Sequence, residues 1–306
     1  MKISVIIPVY NKAEYIGQCF KSIFAQAFDS FEVVAVDDGS TDNSGLLCDQ
    51  WAQKEPRLKV LHTKNGGVTA ARRQGVEHAV GEYIVFADAD DMLLPGSLQI
   101  LYDTITLTKA DEVIARYRSQ DKVLSPIVFK GFTDPILPMW YIVTGKNRFP
   151  VLWACIFRRA LLPDVLDTPR SIIEGEDKLM QLKILVKQPK VYFSDACVYE
   201  YQVGLLNNRR RTLELEQQFD ELLRQVLAPC WDRLSSAFTI HQLKVYEQFL
   251  REQKFEVREQ YYAQAIESLS ADIPFYDRLV WYLPPVVGQY LVHLYQRLIK
   301  IKQRGL

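Results

Sequence analysis

Three stretches of this chain, ISVIIPV from Ile3, FEVVAV from Phe31 and YIVFA from Tyr83, are apolar almost without interruption. A strand with one face in water alternates apolar and polar residues, whereas a near-continuous run marks a strand covered on both faces, as in the middle of a parallel sheet. Between the runs, apolar residues recur at helical spacing, as in Tyr15, Ile16, Cys19, Phe20, Ile23 and Phe24. Alternating strands and helices with right-handed crossovers give an α/β fold, and such sheets bind ligands at the carboxyl ends of their strands.

Two of these runs end in acids. FEVVAV delivers Asp37 and Asp38, and YIVFA delivers Asp88, Ala89, Asp90 and Asp91. Carboxylates are among the side chains least often buried, so their place at the tips of the most buried kind of strand predicts a use for the charge. The competing structural reading makes Asp38 the start of an Asx turn before Gly39 and Ser40, and the later acids a cap for a helix near Pro95.

The remaining elements follow from caps and breakers. We expect a helix capped by Asn11 with Glu14 three residues on, a helix from the Gly39–Asp42 turn through Trp51, and a strand Leu58–His62. A helix Val68–Ala79 is entered at Gly66 and Gly67 and closed by Gly81. After Leu98 come a helix, a strand Glu112–Tyr117, a strand Leu152–Phe157 ahead of Arg158 and Arg159, a helix after the acidic turn Glu174, Gly175, Glu176, Asp177, and a strand Val191–Tyr201. From Leu213 the pattern is helical. The expected segments are 1–98, 99–204 and a helical appendage, 205–306.

Composition narrows the classes. Lys plus Arg equals Asp plus Glu at 37 each, so no basic field points to nucleic acid. The five cysteines are odd in number, and none is paired as CxxC, which disfavours a disulfide framework or zinc site and suits a reducing cytoplasm. The N-terminal run is broken by Pro8, unlike a signal peptide or spanning helix.

In order and spacing, SVIIPVYNKAEYI, VDDGSTD, NGGVTAARRQG, GEYIVFADADD and GEDKLM resemble the inverting family 2 glycosyltransferases of the GT-A fold, densely over residues 3–98 and more thinly to Tyr201. The resemblance implies a Rossmann-like, mixed but mostly parallel sheet flanked by helices, with 1–98 as the nucleotide-sugar half and 99–204 as the acceptor half. It also implies transfer of a sugar from a nucleotide diphosphate to an acceptor hydroxyl in bacterial surface polysaccharide or lipooligosaccharide synthesis, at the cytoplasmic face of a membrane. Asp38 would accept a hydrogen bond from the base, which favours uracil and a UDP-sugar, with Pro8 and Val9 framing the base. A leaving diphosphate needs its charge neutralised, and a divalent metal, Mn2+ or Mg2+, on one or two carboxylates does this. Asp90 is the first choice as ligand and Asp91 the fallback, with Asp88 beside Ala89 reaching the ribose or the metal through water. Gly67 and Arg72 complete the donor set, although a Gly-Gly loop and an internal salt bridge explain them equally.

Inversion requires a base on the acceptor side. The resemblance assigns it to Asp177, with Glu176 orienting the acceptor or tuning its pKa; the plainer reading has both as first-turn acids favoured by the helix dipole. Trp153 is either a flat surface for a sugar ring or core. Arg209, Arg210 and Arg211 are either a clamp on the donor phosphates or a solvated loop. A sugar nucleotidylyltransferase, the rival enzyme class, would carry a glycine-rich basic signature after the first strand, where this chain has PVYNKAEY. A non-catalytic nucleotide-sugar-binding protein has no need of Asp88, Asp90 and Asp177 together.

The tail carries its own pattern. Beyond Asp277 there is no acid, while Arg278, Arg297, Lys300, Lys302 and Arg304 accumulate. Val287, Tyr290, Leu291, Leu294, Tyr295 and Leu298 share a helical face, downstream of Trp281 and Tyr282. Two readings stand: an interfacial helix on a membrane, or a helix packed on the protein with a basic end suited to its dipole.

Overall fold

A computed structural model describes residues 1–119, 122–124, 129–146, 152–172, 174–202, 212–266, 269 and 272–304. These form two compact units, one of Met1–Met139 with Asn147–Arg209, the other of Trp140–Lys146 with Arg210–Leu306.

The first unit is a ten-stranded mixed sheet with helices. In chain order its elements are β1 (Ile3–Val9), α1 (Ile16–Phe24), β2 (Phe31–Asp37), α2 (Ser44–Ala52), β3 (Leu58–His62), α3 (Val68–His78), β4 (Tyr83–Phe86), β5 (Met92–Leu93), α4 (Ser97–Thr108), β6 (Glu112–Ser119), β7 (Lys122–Leu124), β8 (Gly131–Thr133), α5 (Ile136–Thr144), β9 (Cys155–Arg158), α6 (Glu176–Val186) and β10 (Val191–Glu200). The second half of α5, from Trp140, belongs to the other unit. The strand order is β3-β2-β1-β4-β9-β6-β10-β5, with β7 on β6 and β8 on β10. β3, β2, β1 and β4 are parallel, as are β6 and β10, and β9 runs antiparallel between the two sets. Residues on both sides of position 98 therefore share one sheet.

The continuous apolar runs behave as expected of doubly covered strands. Ile3, Val5, Ile6, Ile7, Val33, Val34, Ile84 and Val85 are wholly buried, each contributing about 1.5–3 kcal/mol by leaving water. The chain steps from β1 to β2 and β3 on one side, then returns to β4 on the other. β1 is thus the topological switch point, where the loops following neighbouring strands part and leave a crevice.

Three local expectations are corrected. Asn11 does not cap α1: it lies at φ 52° and its side-chain oxygen accepts from the Thr41 amide at 2.8 Å. The amides of Asn11, Lys12 and Ala13 are taken up by Ser40, Ser44 and Asp42, so non-local acceptors hold this segment out of the helix, which starts at Ile16. Gly81 does not close α3 in a left-handed turn, since the helix ends in extended backbone at Ala79. It is glycine because a Cβ there would come within 2.6 Å of the Ser4 amide nitrogen. The strand expected from Leu152 begins only at Cys155, because Ala154 turns at φ 57° and lifts Leu152 and Trp153 out of the ladder.

The second unit is helical: α7 (Leu213–Leu227), α8 (Trp231–Arg251), a π-turn Arg258–Tyr262 running into α9 (Ala263–Ala265), α10 (Phe275–Tyr282) and α11 (Pro285–Arg304). Tyr246, Phe249, Tyr262, Trp281 and Val292 are in its core, with Trp140 packed against it. Buried Asp220 accepts hydrogen bonds from Gln242 and Tyr261. Among the described residues no helix is long and apolar enough to cross a membrane.

Candidate active site

A cleft of about 1030 Å³ opens at the carboxyl edge of the sheet. It gathers the end of β1 (Pro8, Val9) and the loops after β1 (Tyr10, Lys12), β2 (Asp38), β3 (Asn65–Gly67) and β4 (Asp88, Ala89, Asp90), together with Arg72 of α3 and Glu176 and Asp177 at the start of α6. The expected donor residues and the expected acid pair therefore line one cavity.

Asp38 is buried and uses both carboxylate oxygens on the loop after β3, accepting from the amides of Gly66 at 2.7 Å and Gly67 at 2.8 Å. Gly67 has φ 90°, a conformation open to glycine at little cost, and this curls the loop towards Asp38. Asp37 is structural. It accepts from the Ser40 amide and pairs with His62 at 2.9 Å; burial works against its charge, but these bonds win and hold its pKa below the usual value.

Beyond β4 the acids divide. Asp88 and Asp90 face the cleft, Asp90 paired with Lys12 Nζ at 2.6 Å. Asp91 does not line it: its oxygens accept from the Tyr199 hydroxyl at 2.9 Å and the Gln202 amide at 2.8 Å. Burial first, then the nearby Asp88, pushes its pKa up to about 8. Asp91, 2% exposed and absent from the cleft lining, thus braces the turn, while Asp88 and Asp90 are the acids of this cluster that face the cavity. Among the described residues no three His, Cys, Asp or Glu side chains cluster as a metal cage. Asp88 and Asp90 still suit a magnesium-like ion, which binds through one or two hard carboxylates and completes its shell with water and phosphate oxygens.

Arg72 joins the two halves of the site. Only 5% exposed, its guanidinium lies 3.1 Å from Asp88 and 4.0 Å from Glu176. Burial opposes its charge, but Asp88, Glu176 and Asp177 more than offset this and raise its pKa. Glu176 and Asp177 occupy the first turn of α6, after Gly175 in the left-handed region. Desolvation raises both carboxyls, and Arg72 restrains each. The helix N-terminus favours their anions, yet burial outweighs it. A carboxyl pair raised towards neutrality can take a proton from a hydroxyl at working pH.

Trp153 lines the cleft beside Tyr201. The two rings are stacked at 5.2 Å and 10°, with Tyr199 parallel to the indole at 5.2 Å and Tyr117 edge-on at 4.6 Å. The sequence reading missed Lys12, Arg170 and Tyr201. Lys12 was legible, since the first cation after a switch-point strand stands at the ligand edge. Arg170, which donates to Asn65, follows Pro169 in a loop with no pattern to mark it. Arg209, Arg210 and Arg211 lie outside the described residues.

The fold and cleft define an α/β domain with its site at the carboxyl edge of a mostly parallel sheet. The chain matches the family model for Glycosyl transferase family 2 over residues 4–165 and belongs to that family. It is 40% identical over 121 residues to the glycosyltransferase GlyG of Streptococcus pneumoniae, an alignment covering 39% of this chain and 40% of that protein. It is 34% identical over 208 residues to the uncharacterized glycosyltransferase EpsJ of Bacillus subtilis, covering 65% of this chain and 60% of that one. The chain therefore spans less than two thirds of either relative. Its fold is shared with residues 1–349 of Staphylococcus aureus TarS, solved with UDP-GlcNAc, at a TM-score of 0.68 and 23% identity over 86% of this chain and 78% of the other.

Proposed function

We propose that this protein is an inverting glycosyltransferase that moves a sugar from a UDP-sugar to a hydroxyl of a glycan or lipid-linked acceptor in bacterial surface polysaccharide or lipooligosaccharide synthesis. The observation that carries the reading is the buried Arg72, whose two terminal nitrogens approach Asp88 on the donor side and Glu176 of the acid pair. Asp177 takes the proton of the attacking hydroxyl as the nucleotide leaves from the other face of the sugar, and Glu176, sharing Arg72, tunes it. Lys12 and Arg72 offset the diphosphate charge. Pro8 and Val9 flank the base, and Asp38, already holding the glycine loop, keeps lone pairs for a uracil N–H.

Asp88 and Asp90 would hold a divalent metal, Mn2+ or Mg2+, which when bound supplies further positive charge to the leaving diphosphate. Tyr201, exposed and backed by the stacked Trp153, offers an aromatic face against which the apolar side of an acceptor sugar can pack. The TarS structure supports a UDP-sugar donor by likeness of fold. A lipid-linked acceptor would bring the protein to the cytoplasmic face of a membrane.

Calorimetric titration with UDP, CDP and GDP, each with manganese and with chelator and repeated on Asp90→Ala, tests the reading. UDP binding that needs both the metal and Asp90 is expected. Absence of metal-linked nucleotide binding would make the cleft a retained scaffold and refute the proposal.

A further inference from the structure

Helix α11 buries Gly288 and Val292 against the rest of its unit, where a Cβ on Gly288 would meet Leu250 and Val280 at 3.3–3.7 Å. The apolar face expected from the sequence is divided: Leu291 packs on the unit's core beside Gly288 and Val292, and Tyr295 stacks on Tyr276 at 4.2 Å, while the rest of the face turns outward. Val287, Tyr290, Leu294 and Leu298, spaced three or four residues apart, are 47%, 71%, 56% and 56% exposed. The preceding helix repeats the pattern, with Phe275, Leu279 and Tyr282 at i, i+4 and i+7 and 72%, 36% and 69% exposed. Among the described residues, each of these two consecutive helices thus leaves a row of apolar side chains exposed. A soluble surface tolerates single apolar residues, not two rows of them.

The charge of this segment, read from the sequence, selects the occupant. No acid follows Asp277, which is itself buried, whereas Arg278, Arg297, Lys300, Lys302 and Arg304 do. His293 and Arg297 are exposed on the α11 flank beside the apolar stripe. A second copy docked on this face would bring like charges together, while anionic headgroups complement them. The exposed Tyr282 and Tyr290 suit the boundary between headgroups and acyl chains, where an apolar body and a polar tip are both satisfied, and Phe275 adds apolar area. We propose that the exposed face of α10 and α11 is a docking surface for an anionic lipid bilayer, lying in the interface and not spanning it. The proposal rests on the glycosyltransferase reading only for what such a bilayer would carry, a lipid-linked acceptor.

The test is co-sedimentation of the full chain, without nucleotide, with vesicles of phosphatidylcholine alone or mixed in equal parts with phosphatidylglycerol. Binding to the mixed vesicles, lost at high salt, is expected. The Tyr290→Ser/Leu294→Ser variant should bind roughly tenfold more weakly and Arg297→Glu roughly fivefold more weakly, with unchanged circular dichroism because these side chains are exposed. No binding to anionic vesicles, or binding indifferent to the double variant, would overturn the proposal. So would a concentration-dependent dimer in light scattering that the double variant abolishes, which would give the face to a second copy. Since the assay needs neither donor nor turnover, its failure leaves the UDP titration to stand or fall alone.

Discussion

Glu112 on β6 has no part in the cleft, yet it offers the sharpest physical test of this structure. It is wholly buried; Oε1 accepts from Gln181 Nε2 at 2.6 Å, while Glu112 Oε2 and Gln181 Oε1 have no partner among the described residues. A protonated Glu112 resolves both, donating from Oε2 to Gln181 Oε1 in a cyclic acid–amide pair. Burial raises its pKa from 4.5 to about 8, against the restraint of the Gln181 bond. Between those values the unfolded chain has released a proton that the folded chain keeps, so stability falls as pH rises from about 4.5 to 8. At about 1.4 kcal/mol per unit, and taking the shift as good to one unit, the loss is about 3 to 5 kcal/mol. Glu112→Gln makes the pair an amide–amide ring with nothing to titrate. Urea unfolding of both proteins from pH 5 to 8 should show near-equal stability at pH 5 and a variant ahead by that amount at pH 8, with an unchanged denaturant slope. Taking the difference cancels every other titrating group. A variant that tracks the wild type in parallel across the range would refute the protonated pair.

Other consequences are kinetic. Asp177→Asn should lower kcat by roughly 10²–10⁴-fold with UDP affinity unchanged by calorimetry, and retained activity would remove it as the base. The raised acid pair at Glu176 and Asp177 should set the acidic limb of the kcat/KM profile well above an ordinary carboxylate, activity falling as pH drops and the base is protonated; a limb near pH 4, roughly the ordinary carboxylate value, would contradict the burial argument. Trp153→Ala should raise the acceptor KM by roughly tenfold and leave UDP binding alone, as measured by initial rates on a glycan that the wild type accepts. Arg72→Lys keeps the charge but loses the fork, so it should weaken donor binding and shift the acidic limb together; a change in only one would show that Asp88 and Glu176 are not linked through it.

The parallel half of the sheet was legible because doubly buried strands write themselves as unbroken apolar runs, and its order placed Asp38, Asp88, Asp90 and Asp91 at one edge, whereas Asp177 was reached only through the family resemblance. What escaped was set by contacts distant in sequence. Asn11 has the composition of a helix cap, but the 40–44 loop claims its neighbours' amides. Asp91 is indistinguishable from Asp90 in sequence; Tyr199, 108 residues away, decides between them. Trp153 looked like strand until Ala154 turned the chain. On α11 periodicity found the apolar residues but cannot say which of them face protein: Leu291 and Tyr295 pack beside Gly288 and Val292, and the others do not.

The amides of residues 11–13 hang on Ser40, Asp42 and Ser44, and Ser44 is in turn held by Asp42. Lys12 therefore reaches Asp90 from a backbone that is suspended from the neighbouring loop and not supported by its own helix. Tolerance to substitution around this cleft will consequently follow the suspension points and not distance from the cavity: small changes at Asp42 or Ser44, side chains that touch no ligand, will be read out as a misplaced cation, and any recombination that swaps one loop must carry the other with it.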